Sequence, residues 1–330
     1  MKKNIALVTG GYSGESVISY KSAVTIENNI DTSRWNYYKI DINPKGWYLM
    51  RGNETDHSVP VDKNDFSITL DGQKIIFDAV LIGLHGTPGE DGKLQGYFDC
   101  LKIPYTSCDA ATSALTFNKR YTVAVAAFAG VHVAKSMHLF SHTVVSENEI
   151  LQQLQLPVFV KPNNGGSSIG MSKVNLPAEL GTAIQKAFKE DTQILIEEFI
   201  KGREFTVGVF RSKGAITVLP ITEIISKKEF FDYEAKYQGA SEEVTPANLD
   251  EIAKAKIEAA AQKVYQVFNC NGVVRIDFIL NEVNSEPYML EINTVPGQSE
   301  ASIIPQQVRA AGSNLKDFYS ALIEEALVKN

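Results

Sequence analysis

The sequence predicts an α/β protein with a doubly wound parallel sheet at its N-terminal end, continuing into α+β modules. Three observations carry that expectation. The runs NIALVT (4–9) and AVLIGL (79–84) are near-continuous apolar segments, the pattern of strands covered on both faces of a parallel sheet. A helical stretch between the first strand and the next makes strands and helices alternate. Beyond residue 105 the texture changes to strand, glycine loop and strand: PVFVKP, NNGGSS, IGMSKV.

Taken in order, Asn4–Thr9 is a buried strand ended by Gly10-Gly11, Ser19–Asn29 the first helix, and Tyr37–Ile42 and Ala79–Leu84 further strands. Residues 1–105 then form the doubly wound domain. Such sheets bind ligands beyond the carboxyl ends of their strands, where GGYSGES and HGTPGEDG stand. Ala111–Gly130 reads as one Ala-rich helix carrying Lys119. Pro177–Lys189 has Leu180, Ile184 and Phe188 at four-residue spacing, a helix, and Ile194–Glu198 is a strand. Residues 106–200 make a smaller α+β domain. In 201–330, Glu204–Phe210 and Ile216–Ile225 alternate as strands, and 226–248 has no period and reads as a long functional loop. Leu249–Asn269 is a periodic helix, Gly272–Leu280 and Pro287–Asn293 are strands, and two helices separated by Gly312 follow.

Composition narrows the class. The 330 residues are 44% hydrophobic and 22% charged, ordinary for a globular protein, with a net charge of −7. No Lys/Arg run stands out, which argues against nucleic acid as a partner. Cys100, Cys108 and Cys270 form no CxxC pattern, so neither a disulfide framework nor a zinc site is expected. The short apolar run after Met1-Lys2-Lys3 ends in Gly-Gly and reads as a strand rather than a signal peptide. No apolar stretch approaches the roughly 18 residues that span a membrane. A cytoplasmic protein without membrane or nucleic-acid partners is the expectation.

Two resemblances to phosphate loops fail on spacing. In GTPGEDGKL, Thr87 stands where a P-loop needs its first glycine, and Leu94 stands where Ser or Thr must hold magnesium. GGYSG lacks the dinucleotide spacing. The strands near the C-terminus are more informative. Alternation puts Arg275 and Asp277 on one face of GVVRIDFIL, and Glu291 and Asn293 on one face of YMLEINTVPG. If the strands pair, Asp277, Glu291 and Asn293 converge as oxygen donors suited to a hard cation such as Mg²⁺; a solvated hairpin face is the plain alternative. Lys161 precedes the glycine loop, where a lysine and loop amides can hold phosphate oxygens. Lys119 is a second basic candidate. His85 follows AVLIGL at a strand's carboxyl end, and Glu15 opens the first helix, where the helix dipole alone favours an acid. Together these point to ATP-driven chemistry on an unspecified substrate.

The chain also resembles the D-alanine–D-alanine ligases of the ATP-grasp superfamily. The resemblance rests on GGYSGES, GLHGTPGEDGKLQG, IPYTS, VKPNNGGSSIGMSKV, LIEEFIKGREFTV, FFDYEAKY, RIDFIL, LEINTVPG and SIIPQ, in order and nearly end to end. It implies the ATP-grasp fold, with ATP held between the second and third domains. It also implies ligation of two D-alanines through an acyl phosphate, with Mg²⁺ or Mn²⁺ as the ion, for peptidoglycan. Lys119 and Lys161 would bind the phosphates, Glu197, Glu198, Ile200 and Glu204 would line the adenosine site, and Asp277, Glu291 and Asn293 would hold the metal. Glu15 would hold the first amino group with His85 against its carboxylate, and Ser167 and Tyr237 would join Glu15 in a clasp. Arg275 and the Gly297 amide would stabilise the oxyanion, and Lys236 and Ser302 would bind the second carboxylate. A homodimer is implied by resemblance only. Gln298-Ser299 stands where the family usually has Met-Thr, which raises the alternative of a different second amino acid or hydroxy acid. A non-catalytic nucleotide-binding homologue is the reading from another class.

Overall fold

A computed structural model describes residues 2–143, 145–165, 169–226 and 241–328. The N-terminal part runs β1 (Lys3–Gly10), α1 (Ser16–Asn29), β2 (Trp35–Asn43), β3 (Gly46–Arg51), β4 (Glu54–Asp62), β5 (Ser67–Leu70), β6 (Gln73–Ile75), β7 (Ala79–Ile82) and α2 (Lys93–Leu101). It builds one sheet ordered β6-β5-β4-β3-β2-β1-β7. The expected parallel pairing holds for β2-β1-β7, and the other neighbours are antiparallel. Ile5, Leu7, Ala79 and Leu81 pack on one face with Ala23 and Ile26 of α1. Ala6, Val8, Val80 and Ile82 pack on the other with Leu94 and Phe98 of α2. Helices thus cover both faces, which explains the unbroken apolar runs.

The antiparallel half was not expected from the sequence. β4 contains Pro60 and is largely exposed, so it lacks the apolar signal of a buried strand. Asp71-Gly72 was the available clue. Both residues have positive φ (51° and 76°), the two-residue turn that joins β5 to β6.

The middle part continues with α3 (Ala110–Phe117), α4 (Lys119–Phe128), β8 (Ser136–Phe140), α5 (Glu147–Gln153), β9 (Val158–Pro162), β10 (Ser172–Val174), α6 (Leu180–Phe188) and β11 (Gln193–Glu198). The single helix expected over Ala111–Gly130 is two helices. Asn118 between them is extended (φ −99°, ψ 105°), and its side chain accepts from Tyr121 N, capping α4. The break makes Lys119 the first residue of α4. Strands order β10-β9-β11-β8, and Val158, Val160, Ile194 and Ile196 face a core closed by α5 and α6.

The remainder comprises β12 (Gly202–Ser212), β13 (Ala215–Val218), β14 (Thr222–Ser226), β15 (Ser241–Val244), α7 (Glu251–Val267), β16 (Val273–Asn281), β17 (Pro287–Asn293), α8 (Ile303–Ala310) and α9 (Leu315–Val328). The strand expected over Ile216–Ile225 divides into β13 and β14 across Pro220, which has no N–H to donate to a ladder. The sheet runs β15-β14-β12-β16-β17, with β13 also on β12. Phe205, Val207, Val209, Val274, Ile276 and Phe278 pack with Ile257, Ala261 and Val264 of α7. Alternation turns Thr206, Arg275 and Asp277 to the opposite face. From α9, Phe318, Tyr319 and Leu322 join the core on the N-terminal sheet, tying the end of the chain to its beginning.

Candidate active site

The carboxyl ends of β1 and β7 bring two loops together. Tyr12 N donates to Thr87 O at 2.9 Å. A Cβ on Gly86 would stand 2.4 Å from Glu15 Oε2 and 2.5 Å from Ser13 Oγ, and Gly86 has φ +67°, so glycine lets the Glu15 carboxylate lie against this backbone. The Glu15 carboxylate thus lies against the loop that carries His85.

His85 is buried, and both its ring nitrogens are engaged within the protein. Nδ1 lies 2.6 Å from Val295 O and Nε2 lies 2.8 Å from Ser22 Oγ. A carbonyl only accepts, so Nδ1 carries the proton and Nε2 accepts from the Ser22 hydroxyl. Burial lowers the imidazole pKa from 6.5 to about 4, so the ring is neutral at physiological pH. Glu90, which sequence reasoning did not single out, accepts from Gly86 N at 2.7 Å and Val295 N at 3.2 Å. Desolvation first, and the Glu15 charge second, raise its pKa from 4.5 to about 8.

Facing these loops, β16 and β17 pair with Arg275 opposite Asn293 and Asp277 opposite Glu291. The register shifts after Asp277, so that Phe278 pairs with Met289. This bulge lets Met289 enter the core while Glu291 and Asn293 stay beside Asp277. Arg275 donates to Asp277 through Nε at 3.0 Å and Nη2 at 2.9 Å. Thr206 Oγ1 adds a donor at 2.5 Å and Asn293 Nδ2 one at 3.3 Å. Desolvation alone would lower the Arg275 pKa, but the Asp277 carboxylate, helped by Glu291 and Glu90, moves it above its ordinary value. No group of three His, Cys, Asp or Glu among the described residues can hold a metal. The pair Asp277 and Glu291 plus the Asn293 amide oxygen still suits Mg²⁺, which takes few protein oxygens and fills its shell with water and phosphate.

The phosphate candidates lie on β9, β11 and α4. Lys161 forms an ion pair with Glu197, in which both side chains are largely buried. Lys119 Nζ donates to Gly165 O at 2.6 Å, and its backbone N donates to Asn163 O at 3.1 Å, so α4 starts against the glycine loop. Glu198 accepts from Gln155 N at 2.8 Å. Ile200 lies just beyond β11 and Glu204 on β12, both half-buried. Gly297 lies against Ser302, where an added Cβ would come within 2.8 Å of Ser302 Oγ. That hydroxyl also meets Ser299 Oγ at 2.7 Å. Ser167, Lys236 and Tyr237 lie outside the described residues. Ser22 and Thr206 were not found by sequence reasoning, because buried hydroxyls on a helix and a strand carry no local signal.

Known proteins match this arrangement. The family model described as "D-ala D-ala ligase N-terminus" matches residues 4–108, and "D-ala D-ala ligase C-terminus" matches residues 118–324. A D-alanine–D-alanine ligase of Flavobacterium johnsoniae is 46% identical over 325 residues, covering 98% of this chain and 99% of the relative. One from Porphyromonas gingivalis is 42% identical over 329 residues, covering 99% of each. The crystal structure of the VanG D-Ala:D-Ser ligase from Enterococcus faecalis superposes with a TM-score of 0.88 at 31% identity, covering 99% of this chain and 100% of that one. Matched over both halves and along nearly its whole length, the chain belongs to the D-alanine–D-alanine ligase family, with that family's ATP-grasp fold.

Proposed function

We infer that the protein joins two D-alanines into D-alanyl-D-alanine at the expense of ATP, through an acyl phosphate, for peptidoglycan. The observation that carries this is the meeting of the N-terminal loop bearing His85 and Glu90 with the segment that follows β17, beside the strand pair bearing Arg275, Asp277, Glu291 and Asn293. The ties are the hydrogen bonds from His85 and Glu90 to Val295.

A carboxylate resists attack by an amine, so the first D-alanine is phosphorylated and ADP leaves. The second amine then attacks the acyl carbon, and phosphate departs as the peptide bond forms. Glu15 holds the first ammonium group. Lys119 and Lys161 bind ATP phosphates, which requires Lys161 to share its charge between Glu197 and the nucleotide. Glu197, Glu198, Ile200 and Glu204 border adenosine. Asp277, Glu291 and Asn293 hold Mg²⁺, which when bound neutralises charge on the transferring phosphoryl group. Arg275 and the Gly297 N–H stabilise the tetrahedral oxyanion. Ser302 binds the second carboxylate. The division into 1–105, 106–200 and 201–330 is our proposal for the domains, with α9 packing back on the first. A cytoplasmic homodimer completes the reading; no helix among the described residues is long and apolar enough to cross a membrane.

Gln298 bears on the second substrate. Its side chain is only 4% exposed, and its Oε1 accepts from Tyr319 OH at 3.3 Å. It is buried against Tyr319 of α9, which supports D-alanine as the second substrate. Ser299, hydrogen-bonded to Ser302, keeps D-serine as the alternative to test. ADP release with Mg-ATP and D-alanine, D-serine or D-lactate, with product mass spectrometry, tests the reading. A folded protein with no D-alanine turnover refutes it, and a mixed dipeptide formed in preference identifies the alternative.

A further inference from the structure

The four residues Val295, Pro296, Gly297 and Gln298 are tied at both ends to side chains from the opposite side of the cleft. Val295 O accepts from His85 Nδ1 at 2.6 Å, and Val295 N donates to Glu90 Oε1 at 3.2 Å. Gln298 N donates to Ser22 Oγ at 3.0 Å. The Ser22 hydroxyl in turn donates to His85 Nε2 at 2.8 Å. The direction of every bond follows from the first, since a carbonyl cannot donate. The circuit therefore leaves the loop at Gln298 N–H, passes through Ser22 and His85, and returns to it at Val295 O.

We propose that Ser22 is a positioning residue for the oxyanion donor, acting with His85 and Glu90 to orient the Gly297 amide. This rests on the reading of Gly297 as that donor. Pro296 has a fixed φ and no N–H of its own. With Val295 and Gln298 anchored, the peptide that carries the Gly297 N–H has little freedom left. An oxyanion donor is effective only when it is aimed before the charge develops. Ser22 is completely buried on α1, and its bond to Gln298 links that helix to the catalytic loop 276 residues later in the chain. The circuit also needs a neutral His85, because a protonated ring has no lone pair for the Ser22 hydroxyl. Both ring nitrogens are thus engaged inside the protein, whereas the resemblance implies that His85 lies against the first substrate's carboxylate.

A role in positioning this amide acts on the second half of the reaction, where the tetrahedral oxyanion forms, and spares the first. Rapid-quench measurement of ADP and dipeptide on the full chain separates the halves. In Ser22→Ala, dipeptide formation should fall about 10- to 100-fold, the scale of a misplacement of up to an ångström. ADP should still form at the wild-type rate in a burst of one per site. Ser22→Thr, which keeps the hydroxyl, should restore most of the lost dipeptide rate. Equal slowing of ADP and dipeptide, or no slowing of either, overturns the proposal. If Ser22→Ala does not fold, Glu90→Ala carries the same test, because it removes the other tie to Val295. Arg275→Ala run in parallel isolates the underlying reading. Should that variant form dipeptide at the wild-type rate, the oxyanion assignment itself is wrong, whatever Ser22→Ala does.

Discussion

Truncation of Arg275 separates three roles that its position makes possible: oxyanion donor, phosphate ligand and structural counter-charge. In the structure its guanidinium grips both oxygens of Asp277, at 3.0 and 2.9 Å. The two side chains are 21% and 11% exposed, so the pair is mostly removed from water. Arg275→Ala leaves Asp277 with Thr206 and Asn293 as donors and with no paired cation among the described residues. Removing one member of a buried pair destabilises by about 3–5 kcal/mol. Residual exposure and the Thr206 bond put the expected loss at the lower end, about 3 kcal/mol. Urea unfolding should show that loss without Mg²⁺, and a smaller one in millimolar Mg²⁺, because an ion against Asp277 replaces the missing charge. In steady-state assays kcat should fall by about 10²–10³, as when an oxyanion donor is removed. The nucleotide Kd, measured by calorimetry on the folded variant, should change little. A rise in nucleotide Kd in step with the fall in kcat would make Arg275 a phosphate ligand instead. Unchanged stability without Mg²⁺ would mean the pair does not compensate Asp277. Arg275→Lys keeps the charge but not the two-pronged grip, so it should recover more stability than activity.

Other perturbations address the neighbouring groups. His85 has a folded pKa near 4 against an ordinary 6.5, so the unfolded chain binds more protons between those values. The contribution of His85 to stability should rise with pH across that window by up to about 3 kcal/mol, so the difference in unfolding free energy between the wild type and His85→Gln, measured from pH 4 to 7, should shift in favour of the wild type by that amount. Glu90 is shifted the other way, from 4.5 to about 8, so the folded state binds more protons at this site and its contribution to stability should decline with rising pH over that range, opposing that of His85 where the windows overlap. Glu90→Gln should flatten that decline, and an identical slope in the variant would refute the shift. Lys161→Ala should raise the ATP Kd at least about 10-fold, the loss of one charge-assisted bond, while binding of D-alanine stays unchanged. Glu291→Gln should raise the Mg²⁺ concentration needed for half-maximal rate, and an unchanged Mg²⁺ titration would remove Glu291 from the metal site.

Much of the architecture was legible in residue order because the signals are local. Apolar runs marked β1 and β7, alternation marked β16 and β17, and motif order along the chain pointed to the family. Glu15, His85 and Lys161 stood out because each follows or ends a strand next to a glycine-bearing loop, and Asp277 because strand alternation puts it on one face with Arg275. The antiparallel strands β3 to β6 were missed because β4 and β6 are mostly exposed and polar, and β3 and β5 are short runs without a clean alternation. The break at Asn118 was missed because an Ala-rich stretch favours helix throughout, whereas the bond from Lys119 N to Asn163 O is made by a distant loop.

By itself, the sequence determined the kinds of element, their order, and the residue types available for phosphate, metal and oxyanion chemistry. Only the tertiary structure decided which of them touch. Alternation cannot reveal the bulge that keeps Glu291 beside Asp277 while Met289 turns inward, because it arises from pairing between strands. Nor can it reveal that Lys161 pairs with Glu197. The protonation of His85 likewise depends on burial and on acceptors contributed from the far end of the chain. Hydrogen bonds and desolvation act over a few ångströms of space, and those distances exist only once the chain has brought Ser22, His85 and Val295 together.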